Sequence, residues 1–407
     1  MPKIVQINTV CNGSTGRIMH DIELRTIKDG YEALAIVGRR SVYLDAPCAK
    51  YGNGISFWIH VGITTLFDRH GYGSYFQTLR MINRLRKEKP DIIHLHNVHG
   101  YYLHVPTLIK YLTEEYEGQV VWTMHDLWPV TGHCAYYTMA ECNKWKSQCC
   151  NCPNIHRYPI SFGLDNSKKN YADKKRMFTS FKDVHIVVPS MWMETELSES
   201  YVNKYPVTCI SNGIDTNVFD YNRVNQMTDD DKAKYGIPKD SKILLAVASI
   251  WDDRKGLRDL IELSKVLADD YRIVVVGLNK GQIKSLPANM IGIRRTENKD
   301  EIVSLYSSAD IFINPSYEES FSLVTIEAQA CGTPCIVLDT SAVSELVNDD
   351  NGIVLHSYST EEYVKAINDI LERDYSRESV RNTALKYTND EMLDGYLSLY
   401  KELLKHV

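Results

Sequence analysis

Ile311-Phe312-Ile313-Asn314-Pro315-Ser316-Tyr317-Glu318-Glu319-Ser320-Phe321-Ser322-Leu323-Val324-Thr325-Ile326-Glu327-Ala328-Gln329-Ala330-Cys331-Gly332-Thr333-Pro334 reads as a strand, a polar loop and a helix in immediate succession. The run Ile311–Asn314 is apolar without alternation, as a strand covered on both faces must be. Pro315 and the serines and glutamates after it suit a loop. The segment Leu323–Ala330 then has helical composition, and Gly332-Thr333-Pro334 stops it before the next apolar run. A strand that feeds directly into a helix and then another strand is the building block of a parallel sheet.

The same alternation extends in both directions. Upstream of this segment lie apolar runs at Ile243–Ala248 and Ile273–Val276, and downstream at Cys335–Leu338 and Ile353–Leu355, with helical patterns at Leu257–Leu267, Glu301–Ser307 and Glu361–Leu371. A separate series occupies the first half, with Val- and Ile-rich runs at Lys3–Ile7, Ala33–Val37, Ile92–Leu95, Val120–Met124 and His185–Val188. Helix-like segments Tyr75–Lys87 and Val105–Tyr116 fall between them. The expected fold is therefore α/β: two facing Rossmann-like domains, each a parallel sheet with helices on both faces, with an active site in the cleft between them. The expected domains are 1–212, carrying a Cys-rich insertion at 126–153, and 213–389, with a C-terminal helix 390–407 returning to the first. A polar connection from Ser211 to Asp240, with Thr228-Asp229-Asp230-Asp231-Lys232, is the expected hinge.

A chain of 407 residues is long for one core and suits two domains of roughly 200 residues. A formal net charge of −6 gives no reason to expect nucleic acid as the partner. Met1 to Ile7 reads as a strand without a leader pattern, and Ile55–Phe67 is shorter than the ~18 residues of a spanning helix, so a cytoplasmic location is expected. Ten cysteines in such a compartment are expected to be largely reduced.

Glu319 and Glu327 place one carboxylate in the loop and a second about one turn inside the helix. Between them, backbone N–H groups stand at the positive end of the helix dipole. That arrangement suits a nucleotide-sugar, with backbone donors on a phosphate and carboxylates on sugar hydroxyls. Arg254-Lys255-Gly256 follows the strand Ile243–Ala248, and two adjacent cations before a helix can straddle a diphosphate. Cations there oppose the helix dipole, so a reason beyond helix stability is wanted. Asp229 and Asp231 are read as solvated linker charge, not as a metal site.

These residues resemble glycosyltransferase family 4, a retaining family with two Rossmann-like domains, whose E-x7-E pair and E-A-x-A-C-G-x-P run match Glu319, Glu327 and Ala328 to Pro334. The resemblance implies that Glu319 contacts the transferred sugar and Glu327 the nucleotide ribose. It implies that the backbone of Phe321, Ser322 and Leu323 receives the phosphate. Arg254 and Lys255 neutralise the leaving diphosphate, with no metal or other cofactor required for catalysis. Ser320 and Ser322 stand where the family often has Gly. In the first half, Asn12-Gly13-Ser14-Thr15-Gly16-Arg17 resembles the family's Gly-rich loop, placing Gly13 and Gly16 near the donor phosphate. The spacing is not that of a nicotinamide-binding motif.

Pro90 to Asn97 and Thr123-Met124-His125-Asp126 are strands ending in polar residues. By the resemblance His125 packs near the donor sugar, while His96 and Asp126 lie on the acceptor side and Asp126 orients the His125 ring. The family has no agreed side-chain nucleophile, and same-face attack, with the departing phosphate taking the acceptor proton, is the implied mechanism. Cys134, Cys142, Cys149 and Cys152 follow, with His133 and Cys150 as spare candidates. Structural zinc, buried free thiols and a disulfide are all open. The phrase from His125 to Cys134 resembles the branch of the family linked to colanic-acid-type capsule or exopolysaccharide synthesis.

The reaction so implied moves a sugar from a UDP- or GDP-linked donor to a glycan or lipid-linked saccharide acceptor in cell-surface polysaccharide synthesis. Arg80, Arg84, Arg86, Lys87 and Lys89 add an expected peripheral membrane contact. The rival readings are a nucleotide-sugar epimerase on the same fold and a non-enzymatic zinc-stabilised binding module.

Overall fold

The computed structural model describes residues 1–39, 43–373 and 375–406, with the side chain of His406 excepted. The expected helix over 390–407 therefore ends outside the described residues at Val407. The chain divides into two compact units, one of Met1–Ile210 together with Leu393 onward, the other of Ser211–Met392.

Among the described residues the first unit holds seven strands: β1 (Lys3–Val10), β2 (Glu32–Arg39), β3 (Cys48–Lys50), β4 (Ile92–Leu95), β5 (Gln119–Thr123), β6 (His185–Val188) and β7 (Val207–Cys209). Their order is β3-β2-β1-β4-β5-β6-β7, and every pairing is parallel. The second unit holds β8 (Lys242–Val247), β9 (Tyr271–Val276), β10 (Met290–Ile293), β11 (Ile311–Asn314), β12 (Cys335–Leu338) and β13 (Gly352–Leu355), ordered β10-β9-β8-β11-β12-β13 and again wholly parallel. Both orders reverse direction beside the first strand of the unit. The topological switch points lie between β1 and β4 and between β8 and β11, the places where such sheets bind ligands.

The strands β4, β6, β11 and β12 are those read from sequence, residue for residue. The strands β3, β7 and β10 were not read. Each is an edge strand of three or four residues, too short and too exposed to give an apolar run. The segment Ser211–Asp240, expected as a hinge, instead sends Ile214, Phe219, Met227 and Ile237 into the core of the second unit. Its aspartates form the first turn of the helix Asp229–Tyr235, where Thr228 and Asp231 make a capping box. Apolar residues spaced singly among polar ones hid this packing from a reading by runs.

The C-terminal helix Asn389–Leu403 buries Tyr396 and Tyr400 in the first unit. The Tyr400 hydroxyl bonds His94 Nδ1 at 2.6 Å, and the Tyr396 hydroxyl bonds Thr123 Oγ1 at 3.0 Å. Two in-strand polar residues are thereby satisfied by the same helix that covers them.

The expected Gly-rich loop is shorter than its sequence suggests, because the helix Gly13–Lys28 begins at Gly13 (φ +78°) and only Cys11 and Asn12 separate it from β1. Gly16 is thus inside the first turn. A Cβ there would stand 2.5 Å from the carbonyl carbon of Cys11. No side-chain rotation relieves a clash with backbone, so the helix lies this close to β1 only because residue 16 is glycine. Gly16→Ala should destabilise the first unit by about 1–3 kcal/mol, visible as a lower Tm in thermal unfolding. An unchanged Tm would mean that the close approach is not used.

Candidate functional site

In the second unit the loops after β8 and β11 meet at the switch point. The loop after β8 forms a short turn Asp253–Lys255 and ends at Gly256, whose φ is +74° and whose added Cβ would stand 2.4 Å from the Pro315 carbonyl oxygen. The two loops are joined by backbone as well: the Tyr317 N–H donates to the Arg254 carbonyl at 2.9 Å. Arg254 Nη1 donates to the Glu318 carbonyl at 2.6 Å and lies 3.9 Å from Glu319 Oε2. Lys255 Nζ forms an ion pair with Glu319 Oε1, and the Glu319 N–H donates to Ser341 Oγ at 2.9 Å. Both cations and Glu319 are largely buried, so the pairing is stronger than a surface salt bridge. Arg254, Lys255 and Glu319, read separately from sequence, therefore form one charged cluster.

Behind it, Ser322 stands at the start of the helix Leu323–Ala330 without capping it, its hydroxyl accepting from Asn314 Nδ2 at 2.9 Å and Thr325 Oγ1 at 2.9 Å. Phe321 packs against Tyr387. Both side chains are engaged within the unit, so what Phe321, Ser322 and Leu323 offer is main chain at a helix N-terminus. Glu327 is half-buried and accepts from the Tyr306 hydroxyl at 3.0 Å. Tyr306 and Ser341 were not read from sequence. Tyr306 looks like an ordinary core aromatic on its helix, and Ser341 lies beyond β12, so no spacing links either to the glutamates.

In the first unit the polar ends of β4 and β5 assemble a chain of buried imidazoles. His96 Nε2 meets Gln6 Oε1 at 3.0 Å, and Gln6 Nε2 donates to the Met19 carbonyl at 3.0 Å, which fixes the amide orientation. The His96 proton is thus on Nε2, and its Nδ1 accepts from His125 Nε2 at 3.0 Å, leaving His125 Nδ1 as the acceptor nitrogen. Burial lowers His125 to about 4 and His94 to about 3, and takes His96 well below its usual value. These rings are neutral at neutral pH.

The expected Asp126–His125 hydrogen bond is not formed. Asp126 Oδ2 pairs with His99 Nε2 at 2.8 Å, and its Oδ1 accepts from the Trp128 N–H at 3.0 Å. Burial pushes the Asp126 carboxyl up, but His99 and the Trp128 N–H outweigh it and hold the group below the usual range. His99 Nδ1 in turn meets the Tyr158 hydroxyl at 3.0 Å. Adjacent residues at a strand end point to different neighbours, which is why Asp126 cannot serve the ring beside it. His94 and His96 belong to the strand end read from the sequence, whereas His99 lies beyond it and Tyr158 comes from a loop with no periodicity.

Cys134, Cys142, Cys149, Cys150 and Cys152 line one small cavity with His133 and Trp145. All ten cysteines are free thiols, so the disulfide alternative is not realised. Cys134 hydrogen-bonds Cys152, holding the latter below the usual thiol range, and Cys149 accepts from the Gly132 N–H at 3.1 Å. Among the described residues no group of three or more His, Cys, Asp and Glu is gathered to hold a metal ion. The four thiols of the expected tetrad thus share one cavity, with Cys134 bonded to Cys152 and Cys149 bonded to the backbone. Lys174 is buried beneath this region, donating to the carbonyls of Trp128 (2.7 Å) and Thr131 (3.1 Å).

The family model for Glycosyltransferase Family 4 matches residues 27–218, and that for Glycosyl transferases group 1 matches residues 227–387. The chain is a family 4 glycosyltransferase. It is 23% identical to WcaC of Escherichia coli (strain K12), a protein assigned to colanic acid biosynthesis as a glycosyl transferase, over 98% of this chain and 100% of the relative. In fold the glycosyltransferase is similar to a sucrose-phosphate synthase from Thermosynechococcus elongatus (TM-score 0.72, 15% identity, 100% of both chains). It is similar also to Anabaena HepE solved in complex with UDP-glucose (TM-score 0.66, 13% identity, 98% and 99% of the two chains). Among the described residues no helix of the glycosyltransferase is long and apolar enough to cross a membrane.

The buried imidazoles set a pH dependence. Unfolded histidine titrates near 6.5, and His125, His94 and His60 are lowered by burial to about 4, 3 and 3 in the folded enzyme. Between these values the unfolded chain binds more protons, so stability is complete above pH ~6.5 and falls on acidification toward pH ~4, by up to about 1.4 kcal/mol per pH unit for each ring. Thermal unfolding across pH 4–7 should show this fall, with a shallower slope in His94→Gln. Equal slopes in the variant and the wild type would show that His94 does not titrate this way.

Proposed function

We propose that this glycosyltransferase moves a sugar, with retention and without a catalytic metal, from a UDP- or GDP-linked donor to a saccharide or lipid-linked saccharide in cell-surface polysaccharide synthesis. The observation that carries the reading is the cluster of Arg254, Lys255 and Glu319 at the switch point of the second sheet, beside the helix N-terminus at Leu323. In this reading Arg254, Lys255 and the N–H groups of the helix start hold the diphosphate. Glu319 accepts from hydroxyls of the transferred sugar, and Glu327, already steadied by Tyr306, from the ribose.

The bond from the anomeric carbon to the phosphate oxygen breaks as the acceptor oxygen bonds that carbon from the same face. The acceptor proton passes to the departing phosphate. Two fixed cations take up the charge that develops there, the role a metal ion plays elsewhere. His125, neutral and with Nδ1 as an acceptor, suits a hydrogen bond from a sugar hydroxyl better than proton abstraction. Gly13 and Gly16 enter only through the short turn after β1, and His96 acts by fixing the His125 tautomer. The similarity to WcaC supports the polysaccharide context, and a lipid-linked acceptor would place the reaction at a bilayer surface.

A structural zinc at the thiol cavity is a separate proposal. His133 supports it: its Nδ1 is held by the buried Asp68 carboxylate at 2.5 Å, and the residue lines the same cavity as the thiols. Metal analysis should find about one zinc per chain, lost in Cys149→Ser. Metal-free protein of unchanged Tm would remove the proposal.

A panel of nucleotide-sugars, scored by thermal stabilisation and nucleotide release, tests the transfer reading. One donor should stabilise the wild type, and Glu327→Ala and Arg254→Ala should lose that effect. Lys255→Ala should cost about 10²–10³ in turnover, which EDTA should leave unchanged in the wild type. Variants that bind donors as the wild type does would overturn the assignment. Nucleotide release independent of any acceptor would favour an epimerase.

A further inference from the structure

The helix Gly54–Phe67 has its polarity reversed. Its buried side chains are Ser56, His60 and Thr64, spaced four apart on one face. Ser56 Oγ bonds Ser74 Oγ and Gln77 Oε1, each at 2.9 Å. His60 Nε2 accepts from the Gly71 N–H at 3.0 Å, so its Nδ1 carries the proton to Ser74 Oγ at 3.1 Å. Thr64 bonds the His60 carbonyl (2.9 Å) and His70 Nδ1 (3.2 Å). The polar groups of the helix are thus satisfied inward, against the segment 70–77.

The outward face is apolar. Ile55 is 78% exposed, Trp58 70%, Ile59 58%, Leu66 58% and Phe67 51%. Positions 55, 58, 59 and 66 fall on one helical stripe, and the helix has no Asp, Glu, Lys or Arg. The segment 160–164 widens the patch: the Phe162 N–H donates to the Thr65 carbonyl at 2.9 Å and the Leu164 N–H to the Leu66 carbonyl at 3.1 Å, leaving Phe162 74% and Leu164 55% exposed. Phe76, 74% exposed, stands at the opposite end, where the next helix is tied to Ser56 through Ser74 and Gln77. A contiguous patch of this size on a water-facing surface carries a standing cost unless something covers it.

We infer that this face is the membrane-docking surface of the enzyme, inserting Trp58, Ile59, Leu66, Phe67 and Phe162 into the interfacial region of an anionic bilayer. Charge decides between a bilayer and a second copy of the chain. Exposed Arg80 lies one turn beyond Phe76, and at the other end exposed Arg157 follows His156, which stacks on Phe162, while exposed Lys168 lies two residues past Asn166, which bonds the Phe67 carbonyl. A two-fold dimer through the patch would set these cations against one another, whereas anionic headgroups would meet all of them. An apolar stripe rimmed by bases, with tryptophan and phenylalanine at its surface, is the composition of an interfacial helix. The location differs from that read in sequence. Arg84 and Arg86 of the helix Tyr75–Glu88 are engaged with Glu88 (2.5 Å) and Glu115 (2.7 Å), and the apolar contact surface belongs to the preceding helix.

The inference uses no feature of the transfer site, and its test needs no substrate. The full chain is floated with vesicles of phosphatidylglycerol and phosphatidylethanolamine, with phosphatidylcholine vesicles as the comparison. Wild type should bind the anionic vesicles, and brominated lipid should quench a part of its fluorescence that is missing in Trp58→Phe. The triple variant Trp58→Ser, Ile59→Ser, Phe67→Ser should bind at least about tenfold more weakly with its Tm retained, because these side chains are solvent-facing in the free protein. Equal binding of wild type and triple variant, or no binding by either, would overturn the inference. A wild-type dimer that the triple variant converts to monomer, with no vesicle binding, would assign the face to self-association instead.

Discussion

A parallel strand covered by helices on both faces has no side chain free to meet a ligand, and among the described residues all thirteen strands pair only in parallel. Chemistry is displaced to the residues just past the carboxyl ends of the strands. Where the strand order reverses, two successive loops leave in opposite directions and open a crevice. In the second unit that crevice edge collects Arg254, Lys255 and Glu319 from two loops tied by the Tyr317–Arg254 backbone bond. Gly256 permits the approach. A side chain at residue 256 would push the β8 loop from Pro315 and separate the cations from their carboxylate.

The same constraint explains what the sequence made legible. Doubly buried strands such as Ile311–Asn314 and Cys335–Leu338 announce themselves as unbroken apolar runs, so the two central sheets and their connecting helices were readable. Edge strands Cys48–Lys50, Val207–Cys209 and Met290–Ile293 have one open side and carry no such run. At the site, loop residues adjacent to a readable strand could be named, but their pairing could not. Spacing gives position along the chain, whereas the partnership of Asp126 with His99 instead of His125 depends on the direction each side chain leaves the end of β5.

The helix Gly54–Phe67 shows the limit of hydropathy from the other side. Its composition reads as a buried helix, and only the structure reveals that the polar residues are the buried ones. Two neutral histidines make this possible. Each imidazole accepts from a backbone N–H and donates to a hydroxyl, so His60 and His70 satisfy loop amides at Gly71 and Gly100 that water would otherwise have to reach. Burial favours the neutral forms that this wiring needs.

The two units meet the polar demands of these strand ends and helices by different means. The second concentrates opposite charges beside a helix N-terminus, an arrangement that can answer a highly charged diphosphate and fall back on the Lys255–Glu319 pair without it. The first buries polar contacts in neutral imidazole and hydroxyl relays around His94, His96 and His125 and around His60 and His70. Neutral relays recognise hydroxyls without attracting phosphate, and they hold a fixed tautomer across the neutral pH range. A charged base in place of His125 would have to be desolvated against the same packed strand ends, at a cost that burial already levies on the imidazolium form. A neutral His125 avoids that cost.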